Sequence, residues 1–564
     1  MATTSDQGAV GAPPGPKKKW HETVAPRVFW PAAAIIAAFV LFTVIFPDTM
    51  GDAISAIQDT IIGTVGWYYT LIVSGFVIFA LWVGLGHFGD IKLAPKDEEP
   101  EFKLGSWFAM LFAAGMGIGL VFYGVAEPLG HYASPKPGVE GTQTELAQQS
   151  IVQTFLHWGL HPWAIYVVVG LAVAYAIHRK GKGVSIRWTL EPLLGKRTNG
   201  WIGDVIDIAA IVGTLFGVAT SLGLGVVQIS AGLDFLEIVN NPGTWTQVIL
   251  IGAITTLATV SVVTGVKRGI KWLSNFNIGL AAALLLFVLI AGPTLFIFRE
   301  AVQSIGLYFQ NLVRLSFDTT ALQGQDGVDW QGSWATYYWG WWISWAPFVG
   351  VFIARISRGR TVREFVAGVL AVPTLVTFIW FSAMGGTALY RELFQGGGLV
   401  SADGTVDTEG ALFGLLDSMP AGTLVVIGAV ILIATFFITS SDSGSLVVDM
   451  LASGGDPEPP KWSRIFWAVA EGGVAIALLL AGGLGALQTA AIVIALPFSV
   501  VMLFMCVALW KDFSAERTAM LRIQRRLQRD ELTEHVSQSL IDEGLVEPNG
   551  DSGGDDKDKV KPKS

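Results

Sequence analysis

Runs of about 20 predominantly apolar residues recur along this 564-residue chain, and nothing else in it restricts the fold so tightly. A helix of that length crosses a ~30 Å hydrocarbon core with its backbone polar groups paired inside the segment, whereas outer-membrane barrel strands are about 10 residues long and alternate in polarity. Twelve spans are expected, at about 27–47, 66–87, 106–126, 157–177, 205–231, 247–266, 276–298, 334–354, 365–390, 423–441, 465–484 and 487–510. Only 14% of the residues are charged, well below the proportion in a soluble protein, so the expected fold class is an all-α polytopic membrane protein with twelve transmembrane helices.

The basic residues set the orientation. With the N-terminus in the cytoplasm, the outward loops hold only Lys136, Arg299, Arg314 and Arg391 of the 36 lysines and arginines, and both termini fall inside. The polar, Pro/Gly-rich N-terminus reads as a tail and not as a signal peptide. Cys506 is the one cysteine, so no intramolecular disulfide is expected. The net charge of −9 sits mostly in tails and loops, and no nucleic-acid partner is expected. Residues 299–317 carry Val302, Ile305, Leu312 and Val313 near helical spacing, an amphipathic helix on the outer surface. Towards the C-terminus Arg517, Arg522, Arg525, Arg526 and Arg529 cluster on a further helix, which is either solvated or a regulatory contact with anionic lipid.

Span three reads SWFAMLFAAGMGIGLVFYGVAEP, with Gly115, Gly117 and Gly119 about halfway across the bilayer. Three residues of poor helical propensity there predict local unwinding, and free backbone at that depth must line a cavity and serve as ligand; close packing of small residues is the alternative. Span eight carries Gly340, Pro347 and Gly350 and is expected to be interrupted as well. Spans three and eight each open a set of five, so 106–298 and 334–510 form two inverted repeats with the solute at the midplane between them.

The eighth span also contains WATYYWGWWISWAP, in which Trp341, Trp342 and Trp345 run past any single interface. In FLHWGLHPWAIY, Trp158, Trp163 and Tyr166 stand at i, i+5 and i+8, which on one helix fall within about 140° of each other. Facing one another, the two clusters would cage a quaternary ammonium, since ring faces attract a cation that cannot donate a hydrogen bond; structural packing is the alternative for any single ring. A carboxylate on the same solute suits the unwound glycines, giving a site for a zwitterion. A zwitterion gains nothing from the membrane potential unless a cation travels with it. Hydroxyls of Thr439 and Ser440 and carbonyls of Ala113 and Met116 are hard oxygen ligands suited to sodium, although such hydroxyls often bond their own helix. His157 and His161 at i, i+4 raise a zinc enzyme, but the glutamate of HExxH and a third ligand are missing. A sensor or channel that keeps the site without coupled transport is a further reading.

The segments GMGIGLVFYGVAEP, HWGLHPWAIY, ATYYWGWWISWAPFVGVFIARISRGRTVREF and ATFFITSSDS together resemble the betaine/carnitine/choline transporter family over roughly residues 27–512. The resemblance implies a trimer in the bacterial cytoplasmic membrane, with two extra helices (27–100), a first five-helix repeat (101–298), an outer helix and loop (299–333), a second repeat (334–512) and a C-terminal domain (513–564) behind the N-terminal tail (1–26). It implies an aromatic box of Trp158, Trp163, Tyr166 and Trp342, with Trp341 and Trp345 along the pathway. It implies one sodium site at Ala113, Met116, Phe436, Thr439 and Ser440, and a second at Thr214 and Phe348, where Val218 replaces a hydroxyl and leaves the ion count open. Choline carriers of the family tend to hold an aspartate where this chain has Gly119, so the resemblance favours sodium-coupled uptake of glycine betaine, with no cofactor, over ectoine, proline, carnitine or choline. It also implies that the arginine-rich C-terminal helix senses osmotic stress.

Overall fold

The structure is a computed structural model that describes residues 23–95, 97–115, 117–264, 267–543 and 545. The α-helices in chain order are α1 (Pro26–Ile45), α2 (Pro47–Leu85), α3 (Leu104–Gly115), α4 (Ile118–Ala133), α5 (Gln143–Trp158), α6 (Leu160–Ala174), α7 (Glu191–Leu194), α8 (Trp201–Phe235) and α9 (Thr244–Thr264). They continue as α10 (Lys267–Ala291), α11 (Thr294–Ser316), α12 (Gly324–Gln331), α13 (Tyr337–Ile356), α14 (Val362–Phe394), α15 (Ala411–Asp417), α16 (Gly422–Ala452) and α17 (Lys461–Asp542). Among the described residues there is no strand, only the isolated bridges Lys92–Thr361 and Val400–Val406. Eight helices among the described residues are long and apolar enough to cross a membrane, or nine if the bent pair α3–α4 counts as one span. The expectation of twelve also counts α9 and α13, which fall outside that set, and splits α17 near Gly482 and Gly483, where φ of 61° at Gly483 favours glycine.

Local chemistry sets several boundaries. Thr142 accepts from Glu145 N while Glu145 accepts from Thr142 N, and Thr361 and Glu364 repeat this reciprocal cap at the start of α14. Pro26 and Pro47 open α1 and α2, where a missing N–H costs nothing. The chain from 299 is helical as expected, but α11 starts at Thr294, after a break at Gly292 and Pro293. Val302 and Val313 point outward, while Tyr308 is buried.

Two expectations fail. The interruption foreseen in span eight is absent: α13 runs unbroken through Gly340, Pro347 and Gly350. Its glycines serve close approach instead, since a Cβ on Gly340 would lie 2.8 Å from Ile492 Cα and one on Gly350 2.6 Å from Val169 Cγ1. The break lies in the fourth span, where Gly159 (φ −92°, ψ −128°) ends α5 and starts α6, so Trp158 stands on a different helix from Trp163 and Tyr166.

The residues up to Leu509 form one unit and those from Trp510 a second. Within the first, α6 packs along α13, α8 along α16 and α4 along α14 and α5. In the second, Arg522, Arg525, Arg526 and Arg529 are exposed, and Arg526 and Arg529 stand 3.8 and 3.9 Å from Asp530.

Candidate functional site

The glycine-rich stretch of span three is where the first unit opens. Helix α3 ends at Gly115, Gly117 is extended (φ −160°, ψ −178°), and α4 starts at Ile118, with the axes on either side differing by 65°. Met116, expected as a cation ligand, lies outside the described residues. The break meets a cavity of about 270 Å³ lined by α3, α4, α5, α6, α13 and α16, with further residues from α8, α10 and α14. All six predicted aromatics, Trp158, Trp163, Tyr166, Trp341, Trp342 and Trp345, line it. No Asp, Glu, Lys or Arg does so among the described residues.

The rings are held in place by mutual packing. Trp342 meets Trp158 edge-on at 4.9 Å between centroids and Tyr166 at 6.4 Å, and it stacks on Trp341 at 4.6 Å. Trp163 stands edge-on to Tyr166 at 5.3 Å. Four indole N–H groups point away to fixed acceptors: Trp158 to Glu127 Oε2 (2.6 Å), Trp341 to Ser221 Oγ (3.1 Å), Trp342 to the His157 carbonyl (2.9 Å) and Trp345 to the Gly217 carbonyl (2.7 Å). These bonds engage the four N–H groups elsewhere, so the same indoles border the cavity with carbon surface. Gly119 lets them close in, because a Cβ there would lie 2.4 Å from Trp341 and 3.1 Å from Trp158.

Another part of the wall is polar. Ala113, Phe436, Thr439 and Ser440 line it with Ser274, Asn277 and Ser443. The Thr439 hydroxyl lies 3.1 Å from the Thr435 and Phe436 carbonyls and accepts from Asn277 Nδ2 at 2.9 Å, so it is partly engaged by its own helix. Phe348 also borders the cavity, whereas Thr214 is buried away from it with no hydrogen-bond partner for its hydroxyl, and Val218 packs where Gly444 makes room.

A family model for the betaine/carnitine/choline family transporter matches residues 27–518. The chain belongs to this family. An uncharacterized transporter of Mycobacterium tuberculosis is 51% identical over 507 residues, covering 89% of this chain and 84% of that protein. A glycine betaine transporter of Bacillus subtilis is 47% identical over 498 residues, 88% of this chain and 96% of the relative. A high-affinity choline transport protein of Escherichia coli is 40% identical over 499 residues, 88% and 73% of the two chains. Members of the betaine/carnitine/choline family are transporters, so this chain is a multi-pass membrane carrier of a small solute and not an enzyme.

The zinc pair considered for His157 and His161 does not converge in this betaine/carnitine/choline family transporter. His161 Nε2 lies 2.9 Å from Ser316 Oγ, while His157 Nδ1 lies 2.7 Å from Glu127 Oε1, a hydrogen bond. Glu127, His131 and His157 bring one ligand atom each within 4.8 Å of one another, but they are joined by hydrogen bonds. Two residues escape the sequence reading. Asn277 is an amide inside an otherwise apolar span, and Glu127 is an acid inside another; an intramembrane polar group was the available signal for both.

Proposed function

We propose that this chain imports glycine betaine, or a closely related quaternary-ammonium zwitterion, together with sodium, for protection against osmotic stress. The observation that carries this reading is the uncharged cavity walled by Trp158, Trp163, Tyr166, Trp341 and Trp342 beside the broken α3–α4 helix. Each desolvated ring contact with an onium contributes up to about 2 kcal/mol, so several rings offset much of the cost of stripping water from the cation without forming an ion pair. The substrate carboxylate meets backbone N–H groups at the N-terminus of α4, where the helix dipole is positive and Gly117, with nothing within 4 Å of its Cβ position, allows close approach. Gly119 supports a zwitterion over choline, because its methyl-sized space is already filled by Trp341 and no acid fits there without moving the ring. Trp345 and Phe348 border the route of the solute.

Sodium is the second cargo, held by the Ser440 and Thr439 hydroxyls with carbonyls of Ala113, Met116 and Phe436; Thr214 with Phe348 is a candidate second position. In the same reading the protein is a homotrimer in the cytoplasmic membrane with both termini inside, and Arg517, Arg522, Arg525, Arg526 and Arg529 meet anionic lipid. The deciding experiment is uptake of labelled glycine betaine into proteoliposomes with and without an inward sodium gradient. Accumulation only with the gradient is expected; equal uptake under both conditions removes the coupling, and no uptake under either removes the cargo.

A further inference from the structure

Glu127 lies two turns past Gly119 on α4, is fully buried, and does not reach the cavity. Four side chains surround its carboxylate. Trp158 Nε1 (2.6 Å) and the Tyr338 hydroxyl donate to Oε2, while His157 Nδ1 (2.7 Å) and His131 Nε2 (3.3 Å) meet Oε1. An ionised carboxylate offers about four acceptor sites, which this arrangement fills. Gln153 Nε2 lies 3.2 Å from His157 Nε2 and donates to it, which leaves the proton of a neutral His157 on Nδ1, aimed at Glu127. In this tautomer a neutral His157 brings no positive charge to the carboxylate.

Of these four partners only Trp158 also lines the cavity. An indole that donates its N–H to a carboxylate gains electron density in its ring, and in a low-dielectric interior a charge at that edge makes the potential over the ring faces more negative. With no acidic side chain among the described lining residues, and with position 119 closed by Trp341, the wall has no other source of negative charge. We propose that Glu127 is the remote counter-charge of the cage, transmitted through Trp158, and that it sets the preference for a cationic head over a neutral one of the same shape. This inference rests on the onium-carrier reading above. It makes Glu127 a specificity-determining residue that acts through Trp158.

The test compares glycine betaine with 3,3-dimethylbutanoate, its carbon isostere, which keeps the shape and the carboxylate but lacks the positive charge. Binding to the purified full chain is measured by calorimetry, with melting temperature as the check on folding. Glu127→Gln is expected to weaken betaine binding by about tenfold and to leave the isostere within about twofold. Equal losses for both ligands, or no loss for either, would overturn the proposal. Tyr338→Phe keeps the charge and leaves Trp158 as the remaining donor to Oε2, so betaine should be favoured over the isostere at least as strongly as before; a fall in that preference would also overturn it, whether or not Glu127→Gln folds. If the unsubstituted chain binds no betaine at all, the cargo assignment itself is wrong and this inference falls with it.

Discussion

Gly119→Ala sets two opposing effects against each other at one atom. Gly119 is the second residue of α4, where the preference for alanine over glycine is at most the ~1 kcal/mol of a helix interior, so α4 taken alone would be slightly stabilised. The new methyl would stand 2.4 Å from Trp341 Cη2, however, and needs that ring edge to retreat by about 1 Å to reach ordinary contact. Trp341 has little freedom to do so: it is stacked on Trp342 at 4.6 Å and on Tyr337 at 5.7 Å, and its N–H is tied to Ser221 at 3.1 Å. Overpacking of this kind costs ~1–3 kcal/mol, which outweighs the propensity gain, and the strain falls on a cage ring. The half-saturation concentration for betaine uptake in proteoliposomes should rise about tenfold, with no gain in melting temperature. Gly428→Ala on α16 is the control, because nothing lies within 4 Å of its Cβ and it does not border the cavity, and it should stay within about threefold. An unchanged half-saturation together with a raised melting temperature for Gly119→Ala would refute the reasoning, since the propensity gain would then have met no steric opposition.

Other substitutions probe separate parts of the site. Trp342→Leu removes the ring that touches Trp158, Tyr166 and Trp341 and should raise half-saturation by about thirtyfold in protein that still elutes as a single species, whereas Trp342→Phe keeps a π face and should cost about fivefold. Ser440→Ala should raise the sodium concentration for half-maximal uptake by about tenfold, more than Thr439→Ala, whose hydroxyl is already engaged by the Thr435 and Phe436 carbonyls; uptake against sodium at fixed solute reads both. Gly340→Ala should lower the melting temperature through overpacking of ~1–3 kcal/mol against the Ile492 backbone, while half-saturation in the surviving protein stays unchanged.

Most of the membrane architecture was legible because length and polarity dictate it. The Thr142 and Thr361 caps and the opening at GMGIG are also local, written in adjacent residues. What local pattern could not separate was the purpose of a glycine. Gly115 and Gly117 flank a break, while Gly340 and Gly350 sit in an intact helix and admit Ile492 and Val169, and only the neighbours distinguish the two uses. The same limit moved Trp158 onto α5. Its predicted angular position relative to Trp163 assumed one continuous helix, yet Trp158 meets Trp342, and Trp163 reaches that ring through Tyr166. Glu127 was visible as a residue in GVAEP, but its four partners come from α4, α5 and α13, a convergence that no spacing encodes.

The tethered N–H groups of Trp158, Trp341, Trp342 and Trp345 carry a cost for the wrong guest. Ring faces accept N–H protons only weakly, so free glycine or alanine would surrender strong hydration of its primary ammonium at this wall and recover little, whereas a trimethylated nitrogen, which donates no hydrogen bond to water, gives up much less. A cell could therefore fill itself with such an osmolyte against a background of common amino acids without the carrier being clogged by them.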